Sequence, residues 1–234
     1  MSTDSNFCTT RWTLVIRASG QGDAAKAALS DLCGAYYAPV VAFLRREGRD
    51  EDAAREMAHG FFAAVLEGGV GAPEQERGRF RSYLLGALKH FISKHRAAAI
   101  AQKRGAGAEH VPITFEHDTQ AGIALPSAPD DSRMFDREWA HTLIARALAA
   151  LEAEHAGRAE VFAALKPWLD GGATSSQADA ARALGMSETA VKVAIHRLRA
   201  RFRELIRAEV ASTVSGESEV ADELRHLIVI ASGG

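Results

Sequence analysis

The side chains of this 234-residue chain that could do chemistry are histidines and cations, and their spacing separates them. His90, His95, His110, His117 and Asp118 are the residues from which a metal or acid–base centre would be drawn. Their spacing fits no helical pair of ligands. His110 to Asp118 also fall in a stretch with no helical period. Cys8 and Cys33 are the only cysteines and form no C-x-x-C pair, so two reduced thiols are expected rather than a zinc site. No catalytic residue, metal or cofactor is expected.

The cations are organised differently. In "GMSETAVKVAIHRLRARFREL", Gly185 to Leu205, the residues Lys192, Arg197, Arg199, Arg201 and Arg203 are opposed only by Glu188 and Glu204. From Arg77 to Arg104 a second block holds Arg77, Arg79, Arg81, Lys89, Lys94, Arg96, Lys103 and Arg104 with no Asp or Glu between them. The net charge is nevertheless −2, because acids collect in "GRDEDAARE" and "APDDSRMFDRE". Two basic tracts in an acidic frame point to two separate contacts with a polyanion, since charge distribution matters more than its sum.

These side chains need elements to hold them. Hydrophobic content of 47% and charged content of 25% suit a soluble globular chain, and abundant alanine with few aromatics favours helix over sheet. The N-terminus "MSTDSNFCTTRW" lacks a signal-peptide apolar core and no apolar run reaches membrane-spanning length, so a cytoplasmic protein with no membrane contact is expected. Apolar residues at helical spacing mark a first segment through Ala28, Leu32, Tyr36, Val40 and Phe43, which Pro39 is expected to kink or divide. Ala54, Met57, Phe61 and Val65 mark a second helix; Phe80, Leu84, Leu88, Phe91 and Ile92 mark a third segment of one or two helices. Gly105 to Asp131 reads as a mobile linker. Helix resumes with Phe135, Trp139, Leu143, Ala147 and Leu151 on one face, and Pro167 bends or ends a shorter helix.

"SSQADAARALG" followed by "MSETAVKVAIHRLRARFRELI" predicts two helices with a very short joint. Gly185 suits the left-handed residue that ends the first, and Ser187 can accept from the free amides of the second. That is a helix-turn-helix signature. Val191, Ile195, Leu198, Phe202 and Leu205 form the inner stripe of the second helix. Ser187, Glu188, Thr189 and Lys192 are then placed to read base edges, and His196, Arg197, Arg199 and Arg203 to grip phosphates.

The stretch "SQADAARALGMSETAVKVAIHRLRARFRELI" resembles the promoter-reading C-terminal domain of bacterial RNA polymerase sigma factors, in the extracytoplasmic-function (ECF) branch of the sigma-70 class. "LSDLCGAYYAPVVAFLRREGRDEDAAREMAHGFFAAVLE" with "RGRFRSYLLGALKHFISKHRAAAIAQKRG" resembles the N-terminal sigma domain. The resemblance implies an all-α chain of two small helical domains: residues 10–104, a linker at 105–131, a helix-turn-helix domain at 132–212 and a C-terminal helical extension at 213–234. It implies that Glu56, Met57, His59, Phe61 and Phe62 dock on the clamp of the largest catalytic subunit of core polymerase, with the flap of the second-largest subunit as a further contact. The family usually has a Gln and an acid where this chain has His59 and Gly60. Arg81, Tyr83, Lys89, His90, Lys94, Arg96, Lys103 and Arg104 fall where the family melts and captures the −10 promoter element; the helix from Ser187 would read the −35 element in duplex DNA. An anti-sigma protein or other regulator is a further possible partner. The alternative is a stand-alone helix-turn-helix regulator that never joins polymerase.

Overall fold

The computed structural model describes residues 23–66, 80–103, 129–169, 171–173, 175–214 and 217–232. The protein is all-helical there: eight α-helices and no strand among the described residues. They are α1 Asp23–Arg46, α2 Glu51–Leu66, α3 Phe80–Lys103, α4 Pro129–Glu154, α5 Ala159–Leu165, α6 Gln177–Leu184, α7 Glu188–Ala211 and α8 Glu217–Ala231. Single 3-10 turns, Ala156–Arg158 and Lys166–Trp168, flank α5. None of these helices is long and apolar enough to cross a membrane.

The chain divides into two compact units. Unit 1 takes the described residues up to Thr142 and those from Ala211 onward; unit 2 is Leu143–Val210. In unit 1, α1 runs unbroken through Pro39, so the expected division of this segment does not occur. It ends at Gly48, whose φ of 88° lets the Gly48 and Arg49 amides turn back to the Arg45 and Leu44 carbonyls. Asp50 then caps α2, its Oδ1 accepting from the Ala53 amide at 2.8 Å. Tyr36, Val40, Phe43, Leu44, Ala58, Phe61, Leu84, Leu88 and Phe91 are buried, which is the helical periodicity of the sequence realised as a core.

This division departs from the expected one in three places. Pro129, Asp130 and Asp131 open α4 rather than close a linker; residues 105–128 lie outside the described part. The first half of α4 belongs to unit 1 rather than to a second domain starting at 132, because its large side chains pack there. The Phe135 ring stacks with Tyr36 at 6.4 Å, and the Arg81 guanidinium lies 4.8 Å from the centre of the Trp139 ring. Finally, α8, the C-terminal extension, belongs to unit 1 rather than to the second domain, with Val220, Glu223 and Leu227 buried.

Unit 2 is built on Leu151, Phe162, Leu165, Trp168, Ala180, Ala181, Val191, Ile195 and Leu198. Phe202 and Leu205, expected on the same stripe, are only partly buried at its margin. Pro167 acts as expected of a residue without an N–H: α5 ends at Leu165 and the chain tightens into the 3-10 turn.

Candidate nucleic-acid interface

The joint between α6 and α7 is fixed by hydrogen bonds that its residue types dictate. Ser176 opens α6 with a reciprocal cap, its Oγ accepting from the Asp179 amide at 3.1 Å while the Asp179 carboxylate accepts from the Ser176 amide at 3.2 Å. The Ser176 hydroxyl and backbone, then Arg182, hold the Asp179 carboxyl below its usual range. At the other end Gly185 adopts φ 62° and ψ 28°, and the Met186 amide donates to the Ala181 carbonyl at 2.9 Å. Ser187 then caps α7, its Oγ accepting from the Ala190 amide at 3.2 Å.

With Val191, Ile195 and Leu198 turned into the core, α7 leaves Ser187, Glu188, Thr189, Lys192, His196, Arg197, Arg199 and Arg203 exposed. All eight side chains of the expected set are therefore open to solvent. Two neighbouring arginines are more constrained. Arg199 donates from Nε to the Trp168 carbonyl at 2.7 Å. Arg201 is bound by Glu154, at 2.6 Å from Nη2, and by Glu204, at 2.7 Å from Nη1. These bonds hold the guanidinium charged, and the one from Arg201 lowers the Glu154 carboxyl. Arg201 is thus neutralised within the unit.

The basic track on α3 looks different from its sequence. Arg81 is only 3% exposed and is paired with Asp136, at 2.7 Å, and with Glu223. Lys89 is half-buried, 2.8 Å from Asp131 and over the Phe43 ring at 5.8 Å. Neither is placed to meet a ligand in this conformation, which corrects the expectation for both: a cation on the apolar face of a helix is drawn inside when carboxylates can follow it. Tyr83 is half-buried, and burial pushes its phenol up to about 12. Lys94 is half-buried; His90 is exposed; Arg96 is exposed and 2.7 Å from Glu47. The Lys103 side chain and Arg104 lie outside the described residues, as do Arg77 and Arg79.

The expected docking residues on α2 also separate. Glu56 and His59 are exposed and Met57 is half-buried. The His59 ring stacks on Tyr37 at 5.5 Å, with its Nε2 3.0 Å from the Tyr37 hydroxyl. Phe61 and Phe62 are buried, Phe61 meeting Phe91 edge-on at 5.6 Å, so both serve the core rather than an outer surface. Beside His59 an open depression of about 310 Å³ is lined by Tyr37, Val41, Arg45, Glu51 and Arg55.

Asp136, Glu223 and His226, which gather around Arg81 with Trp139, are absent from the sequence expectations, and Trp139 is expected only as a core residue. One signal for them existed: Arg81 continues the stripe of Leu84, Leu88 and Ile92, and Glu223 lies between Val220 and Leu227. Among the described residues no three His, Cys, Asp or Glu side chains gather as a metal site. No family model matches the chain, and neither a curated protein nor a solved structure matches it.

Proposed function

We propose that the chain is a sigma factor of the extracytoplasmic-function branch, a dissociable subunit that lends promoter recognition to core RNA polymerase. The observation that carries the reading is the α6–Gly185–α7 arrangement. A left-handed glycine and a serine cap set two short-jointed helices, and α7 shows solvent a row of cations behind a polar first turn. This supports reading the pair as a helix-turn-helix, a motif whose second helix offers its N-terminal residues to base edges and its cations to phosphates. In this reading Ser187, Glu188, Thr189 and Lys192 choose the sequence of the −35 element, and His196, Arg197, Arg199 and Arg203 hold its backbone. Unit 1 captures the opened −10 strand along α3 and docks on polymerase along α2. In this reading the chemistry of RNA synthesis belongs to core polymerase.

A second reading is favoured by one observation. Arg81 and Lys89, cations that strand capture would use, are taken up by Asp136, Glu223 and Asp131. A stand-alone regulator that binds duplex DNA through α7 has no need of them. Reconstitution with core polymerase and a run-off transcription assay on a library of promoters separates the two. The sigma reading expects a stable complex and initiation at a subset of promoters. DNA binding without a complex with core polymerase would establish the regulator instead.

A further inference from the structure

The buried stripe of α8 is interrupted by a charge. Between Val220 and Leu227 stands Glu223, buried like them, its carboxylate on the Arg81 guanidinium of α3. An apolar side chain at this place would make the stripe continuous. A carboxylate loses its hydration on entering and recovers that loss only from specific polar partners, of which the Arg81 guanidinium is one. What α8 recognises on unit 1 is therefore, at its centre, a cation of α3. The surroundings repeat the pattern: Asp136 holds Arg81 from the other side and accepts contact from His226 Nε2 at 3.0 Å, and Asp131 holds Lys89.

We propose that α8 is a displaceable cover over a polyanion site, in which Glu223 occupies on Arg81 the place taken by a phosphate of single-stranded nucleic acid once α8 withdraws. The proposal rests on the reading of α3 as a strand-capturing track. The exchange is chemically balanced: one oxyanion replaces another on the same guanidinium, so the arginine keeps a partner throughout and no new buried charge is created. The hold on α8 is also narrow. Its buried side chains among the described residues are Val220, Glu223 and Leu227, and its polar contacts include those of Glu223 with Arg81 and of His226 with Asp136.

The test is binding of a fluorescein-labelled single-stranded oligonucleotide to the full chain, followed by anisotropy across a salt series. Glu223→Gln keeps the shape and a hydrogen-bond acceptor while removing the competing charge. It is expected to raise affinity roughly three- to tenfold and to steepen the dependence of log K on log salt by about 0.7, the increment for one more phosphate contact on a single strand. The double variant Glu223→Gln with Arg81→Gln is expected to lose both gains; a merely loosened fold would keep them. Removal of residues 217–234 serves as a second opening of the cover, with circular dichroism to establish that the helices persist. Unchanged affinity and slope in Glu223→Gln and in a folded truncation would overturn the cover. The same preparations go into the core-polymerase assay, which keeps the two ideas apart. Initiation without any gain in the variants removes the cover and leaves the sigma reading. A gain without polymerase binding keeps the cover and removes the sigma reading.

Discussion

Arg199 donates from Nε to the main-chain carbonyl of Trp168 across 2.7 Å, so a cation on the outer face of α7 also anchors the 3-10 turn ahead of α6. Lys192, on the same face, is exposed and carries no such anchor. The two should therefore respond differently to truncation. Lys192→Ala is expected to weaken DNA binding and leave the thermal midpoint unchanged. Arg199→Ala should weaken binding and also cost about 1 kcal/mol of stability, a fall in the midpoint of roughly 4–8 °C for a unit of this size. Calorimetric melting of both variants checks it; equal midpoints would remove the anchoring role.

Gly185 supplies the second check on the joint. Its φ of 62° is left-handed, and an added Cβ would meet nothing within 4 Å. Any penalty at this position is therefore one of backbone conformation alone. Gly185→Ala is expected to cost about 1–2 kcal/mol, and Gly185→Asn distinctly less, since asparagine tolerates this region. Urea titration gives both numbers. Equal losses in the two variants would mean that something other than backbone conformation governs the position.

The aromatic pair on α2 allows core and surface roles to be told apart. Phe61 is fully buried while Glu56 is exposed. Phe61→Ala should cost about 3–5 kcal/mol through the cavity it leaves. Glu56→Ala should stay within about 0.5 kcal/mol of the parent and weaken association with core polymerase, measured by surface plasmon resonance. A Glu56→Ala variant that binds core polymerase as tightly as the parent would take this face out of the docking surface.

Acid stability should depend on two exposed carboxylates of unit 2. The hydrogen bond from Arg201 holds Glu154 below its usual range, and Ser176 and then Arg182 do so for Asp179. A carboxyl group lowered in the fold contributes stability in full above its unfolded value, and that stability is lost as pH falls through the folded one. With ordinary values of 4.5 for Glu154 and 3.8 for Asp179, both contributions fade as the medium becomes more acidic than these. Urea midpoints measured between about pH 6 and pH 2.5 should fall less steeply in Glu154→Gln and Asp179→Asn than in the parent. High salt should shrink the difference. Parallel pH curves in parent and variants would sink the assignment.

Much of the architecture is readable from periodicity. The stripe Leu84, Leu88, Phe91 and Ile92 is buried as its spacing demands, and so are Val191, Ile195 and Leu198. The Gly-Met-Ser joint is readable because glycine and serine have narrow backbone uses. The fate of the α3 cations is not. A run such as Arg81 to Arg96 states how much charge there is but not which carboxylates will face it, and those that take up Arg81 and Lys89 come from α4 and α8, far along the chain. The same applies to the unit boundary inside α4. A continuous helix signal carries no mark where its packing partners change, and only the contacts of Phe135 and Trp139 reveal the allegiance of its first half.

That boundary has a consequence for how the protein is made. Unit 1 is closed by segments on both sides of unit 2, since α8 follows Val210 in the chain. On the ribosome, α1 to α3 emerge while Asp136, Trp139 and Glu223 are still to be translated. The usual order, in which an N-terminal domain folds before the next is synthesised, is thus closed to this chain. Unit 2, contiguous in sequence, can complete first, and the first-made unit is the last to finish.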